Sequence, residues 1–134
     1  IALNLMMNYI LENYGRDALI SYLRQFSLMY HSPLRQSLLK GDMEALAGYF
    51  RDVYEKEDWP VSIELSGNRM EIKQDACPAV SYIRKNGGEP CALYRETYNT
   101  VYSSLCEKTP FDYRLESYDD MTGACRQSFT LKEI

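Results

Sequence analysis

The sequence predicts an α+β fold, and three observations carry that reading. Apolar side chains recur at helical spacing through the first 58 residues, the period changes to strict alternation at Trp59-Pro60, and a second alternating pair of segments closes the chain. Two hairpins would be marginal alone, but joined as a four-stranded antiparallel sheet with helices on one face they bury a common core. The expected organisation is one α+β domain over residues 1–134, with a helical part at 1–58 and a hairpin–helix–hairpin part at 59–134.

The elements follow in order. "IALNLMMNYILENY" is rich in apolar helix formers and stops at Gly15. Asp17 is placed to cap a second helix through about His31, with Leu19, Tyr22, Leu23, Phe26 and Tyr30 at helical spacing. "SPLRQSLLKG" offers Ser32 as N-cap, Pro33 at the first helical position and Gly41 as the stop. Asp42 opens a fourth helix that puts Leu46, Tyr49, Phe50 and Val53 on one face. Beyond Trp59, "VSIEL" and "RMEIK" alternate around the turn "SGN", which reads as a hairpin. A short helix follows Pro78, a longer one is expected from Pro90 to about Cys106, and Phe111, Tyr113 and Leu115 face Cys125, Phe129 and Leu131 in a terminal hairpin.

Composition bounds the function. The net charge of -4 and the scatter of the fifteen basic residues argue against nucleic acid as partner, since a phosphate binder clusters Lys and Arg. No apolar run reaches the roughly 18 residues that a membrane span needs. The chain opens at Ile1 rather than at a methionine, as a trimmed chain does, so the lack of a targeting segment carries no information. Four cysteines without a CxxC pair fit reduced thiols in a cytoplasmic protein better than a disulfide scaffold, and a homodimer is among the expected assemblies.

Three features bear on chemistry. If Cys91 and Cys106 bracket one helix, fifteen residues at about 1.5 Å rise hold them about 22 Å apart, too far to share a metal ion. A single four-cysteine site is therefore excluded; Cys77, Cys91 and Cys125 could still converge, but the usual zinc spacing is missing, so no metal or other cofactor is expected. Cys77 before Pro78 and Cys91 after Pro90 both fall at expected helix starts, where amide donors and a partial positive charge favour a thiolate; packing as small buried side chains is the plainer alternative. Tyr94, Tyr98 and Tyr102 form a stripe spaced by four, and with twelve tyrosines against four phenylalanines, hydroxyls meeting in one cavity would suit a small polar ligand. Glu96 is a possible acid or base, more cheaply explained as part of a solvated helix face. His31, the single histidine, cannot build a multi-histidine site.

"DACPAVSYIRKNGGEPCALY" and "YSSLCEKTPFDYRLESYDDMTGACRQSF" together resemble the L-2-amino-thiazoline-4-carboxylic acid hydrolase family. The matching positions are Cys77-Pro78, Cys91, Cys106, and Gly123 with Cys125, within residues 70–131. A more distant resemblance is to small-molecule-binding domains of the 4-vinyl reductase type. The first resemblance implies hydrolytic opening of a cyclic amidine, at a non-peptide C–N bond, in a small sulfur heterocycle that bears a carboxylate. It implies Cys77 as the catalytic nucleophile, with Cys91, Tyr94, Tyr98 and Cys125 contacting substrate and the Pro90 helix start holding its carboxylate. The second implies a non-catalytic binding or sensor domain. In either case the partner is a small molecule.

Overall fold

In the computed structural model, which describes residues 2–132, six helices and four strands follow one another in the expected order. The first four helices are α1 (Ala2–Tyr14), α2 (Arg16–Tyr30), α3 (Ser32–Leu39) and α4 (Met43–Lys56). The hairpin β1 (Ser62–Ser66) and β2 (Arg69–Gln74) comes next, then α5 (Pro78–Lys85) and α6 (Glu96–Cys106), then β3 (Phe111–Tyr118) and β4 (Cys125–Leu131).

The caps differ in detail from the sequence reading. Gly15, at φ +90°, both ends α1 and precedes α2, so Asp17 sits inside the first turn, where its charge meets the helix dipole instead of capping it. His31 takes the cap position of α3, with its carbonyl accepting from the Arg35 amide at 2.9 Å, and Ser32 is already helical. Asp42 does cap α4: its Oδ1 accepts from the Ala45 amide at 3.0 Å.

All strand pairings are antiparallel, in the order β1-β2-β4-β3. The two hairpins join through β2 and β4, which places Met70 opposite Phe129 and Gln74 opposite Cys125. One face of the sheet is apolar: Met70, Ile72, Phe111 and Phe129 pack against Leu38 of α3, Leu46 and Phe50 of α4 and Leu105 of α6. The other face carries ion pairs, Arg126 to Glu71 and Arg69 to Glu116 among them. This one-sided amphipathicity is what alternation along each strand produces. A bulge between Leu115 and Ser117 shifts the register, so Tyr118 rather than an alternating partner faces Cys125.

The second core lies away from the sheet. Met7 of α1, Leu19 and Leu23 of α2, and Val80 and Ile83 of α5 pack with Cys77, Cys91 and Val101 of α6. Helix α6 therefore belongs to both cores, with Leu105 and Cys106 in one and Val101 in the other.

The expected helix from Pro90 begins only at Glu96. Through residues 91–96 the chain winds in tighter turns, with the Tyr94 amide donating to the Cys91 carbonyl and the Glu96 amide to the Leu93 carbonyl, both at 2.9 Å. Asn4 of α1 fixes this geometry, its Oδ1 accepting from the Cys91 amide at 2.7 Å and its Nδ2 donating to the Glu89 carbonyl at 2.9 Å. Cys91 therefore lies in this turn segment ahead of α6 and not at a helix start, its amide bonded to Asn4.

Candidate functional site

Cys77 is the N-cap residue of α5, in extended conformation ahead of Pro78, and its side chain is only 2% exposed. Its backbone amide donates to the Thr122 carbonyl at 2.8 Å, which ties the start of α5 to the loop between β3 and β4. Gly123 makes that crossing possible: at φ +75° it lies so close that a Cβ there would stand 2.2 Å from the Cβ of Cys77.

The Cys77 sulfur accepts a hydrogen bond from the Tyr98 hydroxyl at 2.9 Å. That hydroxyl in turn accepts from Gln74 Nε2 at 2.9 Å, and Gln74 Nε2 also reaches the Gly123 carbonyl at 3.2 Å. Gln74 Oε1 accepts from the Tyr54 hydroxyl at 2.9 Å. A chain of buried polar groups therefore runs from α4 through β2 and α6 to the thiol. Burial raises the pKa of Tyr98 far above that of a free phenol, with the nearby Cys77 adding to the effect, so Tyr98 acts as a donor and not as a base.

Cys77 and Tyr98 close the inner end of a chamber of about 390 Å³ between α2, α4 and α6. Tyr94 and Tyr102 also line it, so the three tyrosines expected to share a face do meet at one cavity, although Tyr94 precedes the helix. Tyr49, Phe50 and Tyr54 of α4 and His31 complete the buried wall. Phe26 and Tyr30, stacked at 5.4 Å with their planes 9° apart, stand at the open end with Glu57. Burial holds Tyr49 and Tyr94 up at about 12.

The other cysteines lie elsewhere. Cys91 is buried in the helical core, away from the chamber. Cys125 starts β4 beside Gln74 and lines a separate groove of about 280 Å³ with Asp75, Tyr118 and Arg126. Burial, and secondarily the neighbouring Cys77, pushes the Cys125 thiol up to about 12. Burial does the same to Cys106, which packs against the sheet. Of the four cysteines, only Cys77 faces the chamber. Among the described residues, no three His, Cys, Asp or Glu side chains gather as a metal ion would require.

Glu96 is buried, not part of a solvated face: its Oε1 accepts from Thr100 Oγ1 at 2.6 Å and Asn99 Nδ2 at 3.2 Å, a local role at the start of α6. Gln74 and Tyr54 are site residues that the sequence reading does not single out, and His31, set aside there as a metal ligand, lines the chamber. Gln74 had a signal, since it continues the inward alternation of Met70 and Ile72 with a polar side chain.

His31 is 6% exposed, its Nδ1 lies 3.3 Å from the Tyr49 hydroxyl, and burial lowers its pKa. The unfolded chain takes up this proton near pH 6.5 and the folded chain only at lower pH. Between those two values the unfolded state binds more protons, so stability falls as pH falls. Urea midpoints are expected to stay level above about pH 7 and to drop through about pH 6, with a flatter profile in His31→Gln. Parallel profiles would show that His31 does not set this dependence.

Compared as a sequence, the chain matches no protein-family model, and no curated protein matches it significantly.

Proposed function

We propose that the protein binds a small molecule in the aromatic chamber, with Cys77 as the reactive or contacting group at its inner end. One observation carries this reading: a cavity of about 390 Å³, walled by tyrosines from three helices, ends on a thiol whose sulfur is already held by a tyrosine hydroxyl. Cavities of this size, largely apolar with a few placed polar groups, suit small ligands. Among the described residues, the Tyr98 hydroxyl is the hydrogen-bond partner of the Cys77 sulfur, and no imidazole or carboxylate lies within bonding distance to serve as its base. That favours binding over turnover and fits a sensor domain of the 4-vinyl reductase type.

A second reading is supported by the same bond. The Cys77 sulfur stands at the cap of α5 and is held by the Tyr98 hydroxyl, as a positioned nucleophile would be. On this reading the protein is a hydrolase resembling the L-2-amino-thiazoline-4-carboxylic acid hydrolases: the Cys77 thiol adds to the amidine carbon as the C=N π bond opens and its proton passes to that nitrogen, the ring C–N bond breaks with the nitrogen leaving as an amine, and water then displaces the Cys77 sulfur from the carbon and restores the thiol. Cys91 and Cys125 have no part in it, because neither reaches the chamber.

Two measurements separate the readings. In the binding reading, a stabilising ligand from a small-molecule thermal-shift screen loses its effect in Val53→Trp, which fills the chamber, and is recovered unchanged after incubation. In the hydrolase reading, 2-amino-thiazoline-4-carboxylate is opened and Cys77→Ser abolishes the turnover. Uniformly slow alkylation of all four thiols would end the nucleophile role, and ligands indifferent to Val53→Trp would end the chamber's role altogether.

A further inference from the structure

The charge and ring geometry of the chamber speak to the class of ligand, on the premise that the chamber is a binding site. Among its described lining residues, Glu57 is the one formally charged side chain, and it stands exposed at the open end. It lines the same cavity as Tyr49, Tyr54 and Tyr102, whose pKa values are raised chiefly by burial and in smaller part by this carboxylate. No lysine or arginine lines the chamber to offset it. His31, the one ionisable nitrogen among the described lining residues, has its pKa lowered by burial, which disfavours a positive charge there.

The walls are aromatic on several sides, and their rings are steeply inclined to one another. Tyr49 meets His31 at 90° and Phe50 at 80°, and Phe50 meets Tyr102 at 66°. Together with the stacked pair Phe26 and Tyr30 at the open end, they give a guest aromatic side chains from α2, α4 and α6 to meet. Cations are attracted to such faces with about 0.5–2 kcal/mol per good contact. An anionic guest would meet the Glu57 carboxylate at the entrance and find no cation within.

We propose that the chamber selects small organic cations, of the quaternary ammonium or amidinium type, over neutral or anionic molecules of the same shape. The aromatic walls provide the shape and the π attraction, and Glu57 provides the sign. A carboxylate-bearing ligand is disfavoured unless its cationic group is the part that enters.

The test uses three molecules of one shape: choline, the neutral alcohol in which a tert-butyl group replaces its trimethylammonium group, and the matching carboxylate, tert-butylacetate. Isothermal titration and ligand-observed NMR follow binding to the intact chain. Choline is expected to bind at least tenfold more tightly than the alcohol, about 1.4 kcal/mol, with contacts from its methyl protons to tyrosine ring protons, while the carboxylate binds weakest. Glu57→Gln should weaken choline severalfold and leave the alcohol unchanged. Tyr30→Leu, at an exposed position, should weaken choline without unfolding the protein. Equal or tighter binding of the alcohol overturns cation selectivity and leaves the chamber a binding site. Unaltered choline affinity in Glu57→Gln overturns the role of that carboxylate. If none of the three binds even at millimolar concentration, both the selectivity and the chamber reading fall.

Discussion

Gly123→Ala is expected to destabilise the protein by about 3 kcal/mol and to disturb Cys77 at the same time. Two costs add. The backbone at Gly123 has φ +75°, where an L side chain costs about 1–2 kcal/mol. The new methyl carbon would also stand 2.2 Å from the Cys77 Cβ and 3.2 Å from the Cys77 backbone nitrogen. These are atoms at the root of a residue, not the tip of a flexible chain, so relief requires moving the backbone. Relieving an overpacked site of that kind costs about 1–3 kcal/mol.

The backbone has little room to move there. The Cys77 amide is bonded to the Thr122 carbonyl at 2.8 Å and the Gly123 amide to the Asp119 carbonyl at 2.7 Å. Gly87 provides the control, because it has φ +81° and nothing within 4 Å of an added Cβ. Gly87→Ala should therefore show the conformational cost alone, about 1 kcal/mol. Urea denaturation of the two variants reads the difference. Equal losses would mean that the close approach of Gly123 to Cys77 is not a feature of the folded protein. A larger loss at Gly123, accompanied by a changed rate of Cys77 alkylation, is the expected outcome.

The parts of this arrangement that the sequence made legible share a short range. The first hairpin was written in the alternation of Ile63, Leu65, Met70 and Ile72 around Gly67-Asn68, and α4 in Asp42 followed by an amphipathic run. The tyrosine stripe of residues 94, 98 and 102 was also visible as a face, because helical spacing is local. What escaped depended on partners distant in sequence. The helix expected from Pro90 begins instead at Glu96, after tighter turns through residues 91–96 whose first amide is bonded to Asn4, 87 residues away from Cys91. The meeting of β2 with β4 is a choice between strand edges that alternation alone leaves open.

The site follows the same division. Cys77 at the start of α5 was legible from Cys-Pro, and its neighbour Tyr98 from the stripe. Cys91 and Cys125 were grouped with Cys77 by motif order, yet packing sends one into the helical core and the other onto a separate groove. His31, Tyr49 and Phe26 reach the chamber only because α2 and α4 pack beside α6, and no local pattern announces that convergence. The candidate site lies where the two cores meet along α6.

Gln74→Leu tests that junction and is expected to cost about 2–4 kcal/mol, since a buried donor or acceptor left without a partner loses about 1–3 kcal/mol. Gln74 is 2% exposed and holds three groups at once: the Tyr54 hydroxyl, the Tyr98 hydroxyl and the Gly123 carbonyl. Leucine fills a similar volume, so the loss is one of hydrogen bonds and not of packing. Tyr98 keeps its bond to the Cys77 sulfur but loses the amide that fixes its hydroxyl, so the thiol should become more readily alkylated. A double-mutant cycle with Tyr54→Phe isolates the network. If Gln74 and Tyr54 act as one unit, the double variant should be more stable than the sum of the single losses predicts, by about 1 kcal/mol. Strict additivity, with an unaltered alkylation rate at Cys77, would show that the bonds drawn from α4 to the thiol carry no coupling.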